Sequence, residues 1–253
     1  MKKVSILGCG WLGKSLAISL LNEGFSVKGS TTSEDKIPVL ELLGIDSYLI
    51  DITALEEVAP FLMSDILIIA ITSKDIDAFK NLIQQIEAST IQKIIFISST
   101  SVYPNTNSVV TEENKTLKTP LVEIEDLICC QDYFETTILR FAGLFGEDRH
   151  PGKWFQNGRK IPQPNGFVNM IHQEDCIKII HEIISKNCWN ITLNACSTDH
   201  PTRKDFYLNT RKSQELETPI FEETEKLKYK IISSHKLQEQ LDYQFIHDNL
   251  LDI

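Results

Sequence analysis

A chain of 253 residues suits one large domain or one and a half, and its 42% apolar and 24% charged residues are ordinary for a globular protein. The formal net charge of −10 repels a phosphate backbone, so nucleic acid is not an expected partner. No apolar run approaches the length of a membrane span, and in "MKKVSILGCGWLG" the apolar stretch is too short before its glycines for a signal peptide. The six cysteines form no C-x-x-C pair. Cys129, Cys130, Cys176 and Cys188 sit among apolar neighbours and read as reduced core residues of a cytoplasmic protein. No Cys/His/Asp set has metal-ligand spacing, so no metal is expected.

"KVSILG" reads as a buried strand ending in glycine. "WLGKSLAISLLNEG" follows with Gly13, Leu16, Ala17, Leu20 and Leu21 on one helical stripe and Gly24 as its stop. "FSVKGS" is a second strand, "EDKIPVLELLG" a helix started late by Pro38, "DSYLID" a third strand and "SDILIIAI" a fourth. Ile76, Phe79, Leu82, Ile83 and Ile86 mark the next helix, and "QKIIFIS" the fifth strand. Such alternation predicts an α/β fold, a doubly wound parallel sheet covered on both faces. A polar loop from Ser101 to Pro120 leads to a helix with Leu121, Ile124, Leu127 and Ile128 on one stripe, and "TTILRFAGLFG" is strand six. Residues 1–166 are expected to form one domain of this pattern. Residues 167–253, without clean alternation, form a smaller second lobe partly interleaved with it.

"GCGWLG" lies between the first strand and the first helix, the context that gives a G-x-G-x-x-G motif its weight. Gly8 permits the tight turn, Gly10 lets the backbone approach a pyrophosphate, and Gly13 allows the helix to pack closely on the strand. Cys9, Trp11 and Leu12 belong to the same turn, and the helix N-terminus offers N–H groups to phosphate. The ribose should be read at the tip of the second strand. "GSTTSEDK" carries no carboxylate there, and Thr31, Thr32, Ser33 and Lys36 suit a 2′-phosphate, which favours NADP(H) over NAD(H). Thr32 or Ser33 could equally cap the next helix. Asp51 fits either the adenine edge or a helix cap, and Ala70 ends strand four beside the cofactor.

With "ILGCGWLG", "ISSTSVYP", "LRFAGLFG" and "NMIHQEDC" in this order, the chain resembles the extended or atypical short-chain dehydrogenases, the nucleoside-diphosphate-sugar epimerase-like group. The resemblance covers about residues 3 to 200. Without "SSTSVY" and "LRFAGLFG", the first 100 residues would also resemble ketopantoate reductases or 6-phosphogluconate dehydrogenases. The resemblance implies a Rossmann domain, a C-terminal substrate lobe and an active site at the carboxyl ends of the strands. It maps the serine that holds the substrate's reacting oxygen to Ser99. Relatives often pair through the helices after their fourth and fifth strands, which leaves a homodimer open.

The family's catalytic tyrosine and lysine should fall in "TPLVEIEDLI", where this chain has Leu121 and Glu125. A free phenol titrates near pH 10, so a tyrosine base needs roughly 4 kcal/mol of electrostatic help near neutrality, which a lysine supplies and a glutamate opposes. None of the six tyrosines has a lysine four residues on. Ser99, Thr100 and Tyr103 are the catalytic candidates, although Tyr103 is also a plausible packed loop aromatic. His172 and Asp175 form a further pair, with Asp175 placed to cap a helix. Arg149, Lys153, Arg159 and Lys160, against Glu147 and Asp148, suggest either a phosphate- or carboxylate-bearing small-molecule substrate or a solvated loop. The chain reads as an NAD(P)-linked oxidoreductase or epimerase, with a non-catalytic sensor or partner subunit as the alternative.

Overall fold

Val4, Ile6 and Leu7 are shapes that fit a pleated surface covered on both faces, and strand β1 (Lys3–Leu7) is buried at every position after its first. Its one buried polar member, Ser5, is satisfied inside the core: its hydroxyl donates to the Phe61 carbonyl at 2.6 Å and lies 2.7 Å from the Ser64 hydroxyl. The computed structural model describes residues 2–54, 58–146, 148–222 and 225–253, so Glu147 of the expected charged loop lies outside the described residues.

The expected alternation follows: α1 (Trp11–Asn22), β2 (Ser26–Thr31), α2 (Ile37–Leu42), β3 (Asp46–Leu49), α3 (Ala59–Leu62), β4 (Ile66–Ile69), α4 (Ile76–Glu87) and β5 (Lys93–Ser99). Helix α4 shows how the pattern works. Asp75 accepts a hydrogen bond from the Ala78 amide at 3.0 Å and starts the helix, while Phe79, Leu82, Ile83 and Ile86 line its buried face. Burying each of these side chains contributes about 1.5–3 kcal/mol. Downstream come β6 (Val109–Val110), α5 (Pro120–Cys129), β7 (Glu135–Phe141), β8 (Gly143–Phe145), β9 (Met170–His172), α6 (Gln173–Ser185), β10 (Ile191–Ala195), α7 (Arg203–Ser213), β11 (Ile231–Ile232) and α8 (His235–Leu241).

The main sheet is a parallel, seven-stranded Rossmann sheet of order β10-β7-β5-β4-β1-β2-β3. Two small parallel pairs, β11 with β6 and β8 with β9, stand apart from it.

Three expectations need correction. Strand six is two strands: after Phe141 the chain leaves the main sheet, and the Gly143 amide donates to the Asn169 carbonyl at 3.0 Å to begin pairing with β9. A side chain at Gly143 would meet the Met170 sulfur at 2.6 Å, so the close approach requires glycine. Second, "ITLNA" is a seventh strand, and with α6 it continues the helix–strand alternation into the region read as lacking it. Third, Cys129 and Cys130 are exposed where α5 ends and Cys188 is half-buried; Cys9, Cys176 and Cys196 are the buried thiols.

The chain forms two compact units. One comprises residues 1–98, 118–139 and 180–192; the other comprises residues 99–117, 140–179 and 193–253. The division is not a single cut at residue 166, because β5, β7 and β10 each begin in the first unit and finish in the second. Among the described residues, no helix is long and apolar enough to cross a membrane.

Candidate functional site

In the first unit, the turn between β1 and α1 is pinned from β2. The buried Ser30 hydroxyl accepts from the Gly8 amide at 3.0 Å, and the Ser30 carbonyl accepts from the Cys9 amide at 2.7 Å. Gly8 has φ +101°, and a side chain there would strike Ile71 and the Ala70 carbonyl at 2.7 and 2.8 Å. A side chain on Gly13 would lie 2.1 Å from the Gly8 carbonyl. Gly10 differs, since a Cβ there meets nothing within 4 Å. Steric pressure inside the protein explains Gly8 and Gly13, and Gly10, the N-cap of α1, brings no side chain into the space in front of that helix's N-terminus. That cradle fits a dinucleotide pyrophosphate.

The cleft in front of it has a volume of about 460 Å³ and includes Gly8, Cys9, Gly10, Thr31, Thr32, Lys36, Asp51 and Ala70 in its lining. Leu12 and Gly13 are buried in α1 and Trp11 is half-buried; they support the turn and are not part of that lining. Ser33 is likewise outside it and makes no capping bond. Thr31 is buried, and its hydroxyl accepts from the Ser33 amide at 3.2 Å, which leaves Thr32 and Lys36 as the exposed polar groups that this segment brings to the cleft lining. Asp51 accepts from the Thr53 hydroxyl at 2.7 Å and the Thr53 amide at 2.9 Å, bonds that hold its carboxyl below the usual range, and its carbonyl accepts from the Ala54 amide at 3.2 Å to close a short 3-10 turn. Burial pushes the Cys9 thiol up to about 12, so it is a packed hydrophobe at neutral pH.

Ser99 and Thr100 border a cleft of about 470 Å³ in the second unit. Ser99 is half-buried and its hydroxyl accepts from the Ser101 amide at 3.1 Å. Arg203, Lys228 and Lys230 also line this cleft, as do Phe167 and Tyr229, whose rings pack edge-to-face at 4.9 Å. Among the described residues, no carboxylate lines it. Lys230 donates to the carbonyls of Thr100 at 2.8 Å and Tyr103 at 2.6 Å, and burial pushes its pKa below the usual lysine value. Sequence reasoning looked for these cations in the loop after Glu147. Of that loop, Arg159 stacks over Phe155 at 5.0 Å, and Arg149, Lys153, Arg159 and Lys160 are all absent from the cleft's lining.

Tyr103 is packed inward. It is 2% exposed, its hydroxyl donates to Asn194 at 3.0 Å and accepts from Arg140 at 2.6 Å, and burial raises its pKa despite the guanidinium. Asp175 is neither a helix cap nor a partner of His172. Fully buried, it accepts from the Tyr243 hydroxyl and the Ile246 amide at 2.7 Å and from the His247 amide at 3.0 Å. Leu121 is half-buried at the edge of the core cluster that holds Ile124 and Ile128. Glu125 is buried and accepts a hydrogen bond from the Ser98 hydroxyl.

Residues 3–101 match the family model described as "NADP oxidoreductase coenzyme F420-dependent". The chain is 33% identical to Protein YeeZ of Escherichia coli K12, across 97% of this chain and 96% of that one. Among solved structures, a functionally unknown conserved protein of Silicibacter pomeroyi superposes with a TM-score of 0.85 at 18% identity, covering 100% of this chain and 96% of its own. A UDP-glucuronic acid 4-epimerase mutant of Bacillus cereus, in complex with a 4-deoxy-4-fluoro UDP-sugar and NAD, superposes with a TM-score of 0.82 at 18% identity, covering 99% and 96%. A cradle that fits a dinucleotide, a seven-stranded Rossmann sheet and full-length similarity to a curated relative lead to one assignment: the chain belongs to the family of Protein YeeZ, and its fold is the Rossmann fold.

Proposed function

We propose that this protein is an NADP(H)-linked oxidoreductase or epimerase acting on a small phosphate-bearing molecule, with nucleoside-diphosphate sugars as the first class to examine. The observation that carries the reading is the cleft at Ser99, whose lining among the described residues has three cations and no carboxylate, in a chain of net charge −10. That imbalance recruits an anion. The aromatic pair Phe167 and Tyr229 offers a surface for a flat base or a sugar face. The B. cereus epimerase binds a UDP-sugar, which agrees in chemistry.

Bound cofactor would supply or accept the hydride. Ser99 orients the reacting oxygen. Positions 121 and 125 hold leucine and glutamate, so the proton and its electrostatic support come from elsewhere. Tyr229 is the phenol of the Ser99 cleft, and Lys230 is one of its two ammonium groups, beside Lys228. An ammonium has three donors; two of those on Lys230 bind carbonyls, and the third can meet the substrate or the phenol.

NADP(H) is the preferred cofactor. Lys36 and Thr32 stand at the tip of β2 with no acidic side chain from that strand in the cleft. One charge-assisted bond from Lys36 to a 2′-phosphate is worth about 1.5–3 kcal/mol, a preference of roughly tenfold to a hundredfold. Calorimetric titration of NADPH and NADH into the purified protein and into Lys36→Ala tests this. The expected result is tighter NADPH in the native protein and near-equal affinities in the variant. Equal affinities in the native protein would refute the preference. NADPH oxidation across a panel of phosphosugars and UDP-sugars then tests the reaction, and turnover unaffected by both Ser99→Ala and Lys230→Met would refute the site.

A further inference from the structure

His172, Glu174 and His247 offer ligand atoms that all lie within 4.8 Å of one another in the second unit. We propose that these three residues form a binding site for one borderline divalent transition ion, of which Zn²⁺ is the representative. The donor set decides the class: two imidazoles and one carboxylate suit Zn²⁺, Co²⁺ or Ni²⁺, whereas Mg²⁺ and Ca²⁺ call for oxygen throughout.

The arrangement is held from behind. His172 closes β9, and the Phe145 ring packs edge-on against its imidazole at 5.1 Å. His247 comes from the far end of the sequence, and its backbone is fixed by the buried Asp175, which takes the amides of Ile246 and His247. The two imidazoles lie 3.7 Å apart, ring centre to ring centre. Glu174 is exposed in the first turn of α6, and its carboxylate already meets His247 Nε2 at 2.9 Å. Ligand atoms around a tetrahedral zinc stand about 3.4 Å apart, given bonds of about 2.1 Å. Ring centres of two imidazoles on one tetrahedral ion stand about 5 Å apart, so the His172 and His247 rings, at 3.7 Å, turn apart as the ion enters while the flexible glutamate closes the rest of the gap. Three protein ligands leave a fourth position for water or an external anion. The local pattern is only His-x-Glu, and folding brings in the third ligand, which explains why no metal was expected from spacing.

Calorimetric titration of ZnCl₂ into the full-length protein, previously stripped with chelator, gives the first measurement, and the visible spectrum with Co²⁺ the second. The expected result is one ion per chain and cobalt bands of a low-symmetry nitrogen–oxygen site. His247→Gln and Glu174→Gln should each weaken binding about tenfold or more while far-ultraviolet circular dichroism stays unchanged. His172→Gln gives an independent check if one of these fails to fold. Cys129→Ser/Cys130→Ser separates this site from the exposed thiol pair and should bind as the native protein does. Absence of stoichiometric binding, binding lost only in the cysteine variant, or unchanged binding in all three ligand variants would each overturn the proposal.

Discussion

Gly10→Leu is the most direct perturbation of the cofactor cradle. Gly10 precedes α1 with φ −76° and ψ −151°, an extended conformation open to any residue, and a Cβ there touches nothing within 4 Å. Replacing glycine before a helix costs about 1 kcal/mol or less, so the variant should fold with a small loss of thermal stability. Its side chain would instead fill the space in front of the first-turn amides. Two charge-assisted hydrogen bonds to phosphate, at about 1.5–3 kcal/mol each, would go, which makes roughly 3–6 kcal/mol. At about 1.4 kcal/mol per decade, NADPH affinity should fall by a hundredfold or more. Isothermal titration measures it, and thermal melts give a second reading. Ligand at about 100 times Kd stabilises the native protein by about 2.7 kcal/mol, a gain the variant should lack. A folded Gly10→Leu protein whose NADPH affinity is unchanged would refute the assignment of this cleft to the dinucleotide.

Tyr103→Phe should cost about 1–3 kcal/mol in denaturant unfolding, because it leaves the buried Arg140 and Asn194 without the hydroxyl they share. It should leave turnover of any accepted substrate nearly unaffected; a large fall in kcat would return Tyr103 to the chemistry. A thiol-reactive chromophore at pH 8 should modify Cys129 and Cys130 promptly and the buried Cys9, Cys176 and Cys196 only on unfolding. With the Cys9 thiol pushed up to about 12, its thiolate fraction at pH 8 is about one in ten thousand, so fast modification of Cys9 would contradict its packing. Leu121→Ala should cost about 1–2 kcal/mol, below the 2–5 usual for fully buried leucine, since this side chain is half-buried at a core edge. A loss above about 4 kcal/mol would place it in the core proper.

The first five strands of the sheet were legible because Val4, Ile6, Ile66, Leu67, Ile94 and Ile95 stand in short apolar runs closed by glycine or polar residues. The glycine turn was legible for the same reason, as its neighbours announce a strand before it and a helix after it. Strand β10 was harder: Asn190 and Asn194 flank and interrupt it, and asparagine weakens a strand signal. The two exposed cysteines follow Ile128, and the turn of α5 carries them away from the face that Ile124 and Ile128 bury. Cations at the Ser99 cleft could not be read locally, since Arg203, Lys228 and Lys230 lie far along the chain from residue 99. The inward turn of Tyr103 depends on Arg140 and Asn194, which no spacing rule connects to it.

The interleaving of the two units bears on how such a protein can change by recombination. β5, β7 and β10 are neighbours in the sheet, and each passes from the first unit to the second within its own length. A gene fusion or exchange with one breakpoint therefore moves neither unit whole. To exchange the second unit alone, breakpoints would have to fall inside all three strands and preserve the register of each. New specificity on this scaffold is thus far more accessible by point substitution or loop insertion around Ser99 and Lys230 than by inheritance of a ready-made module.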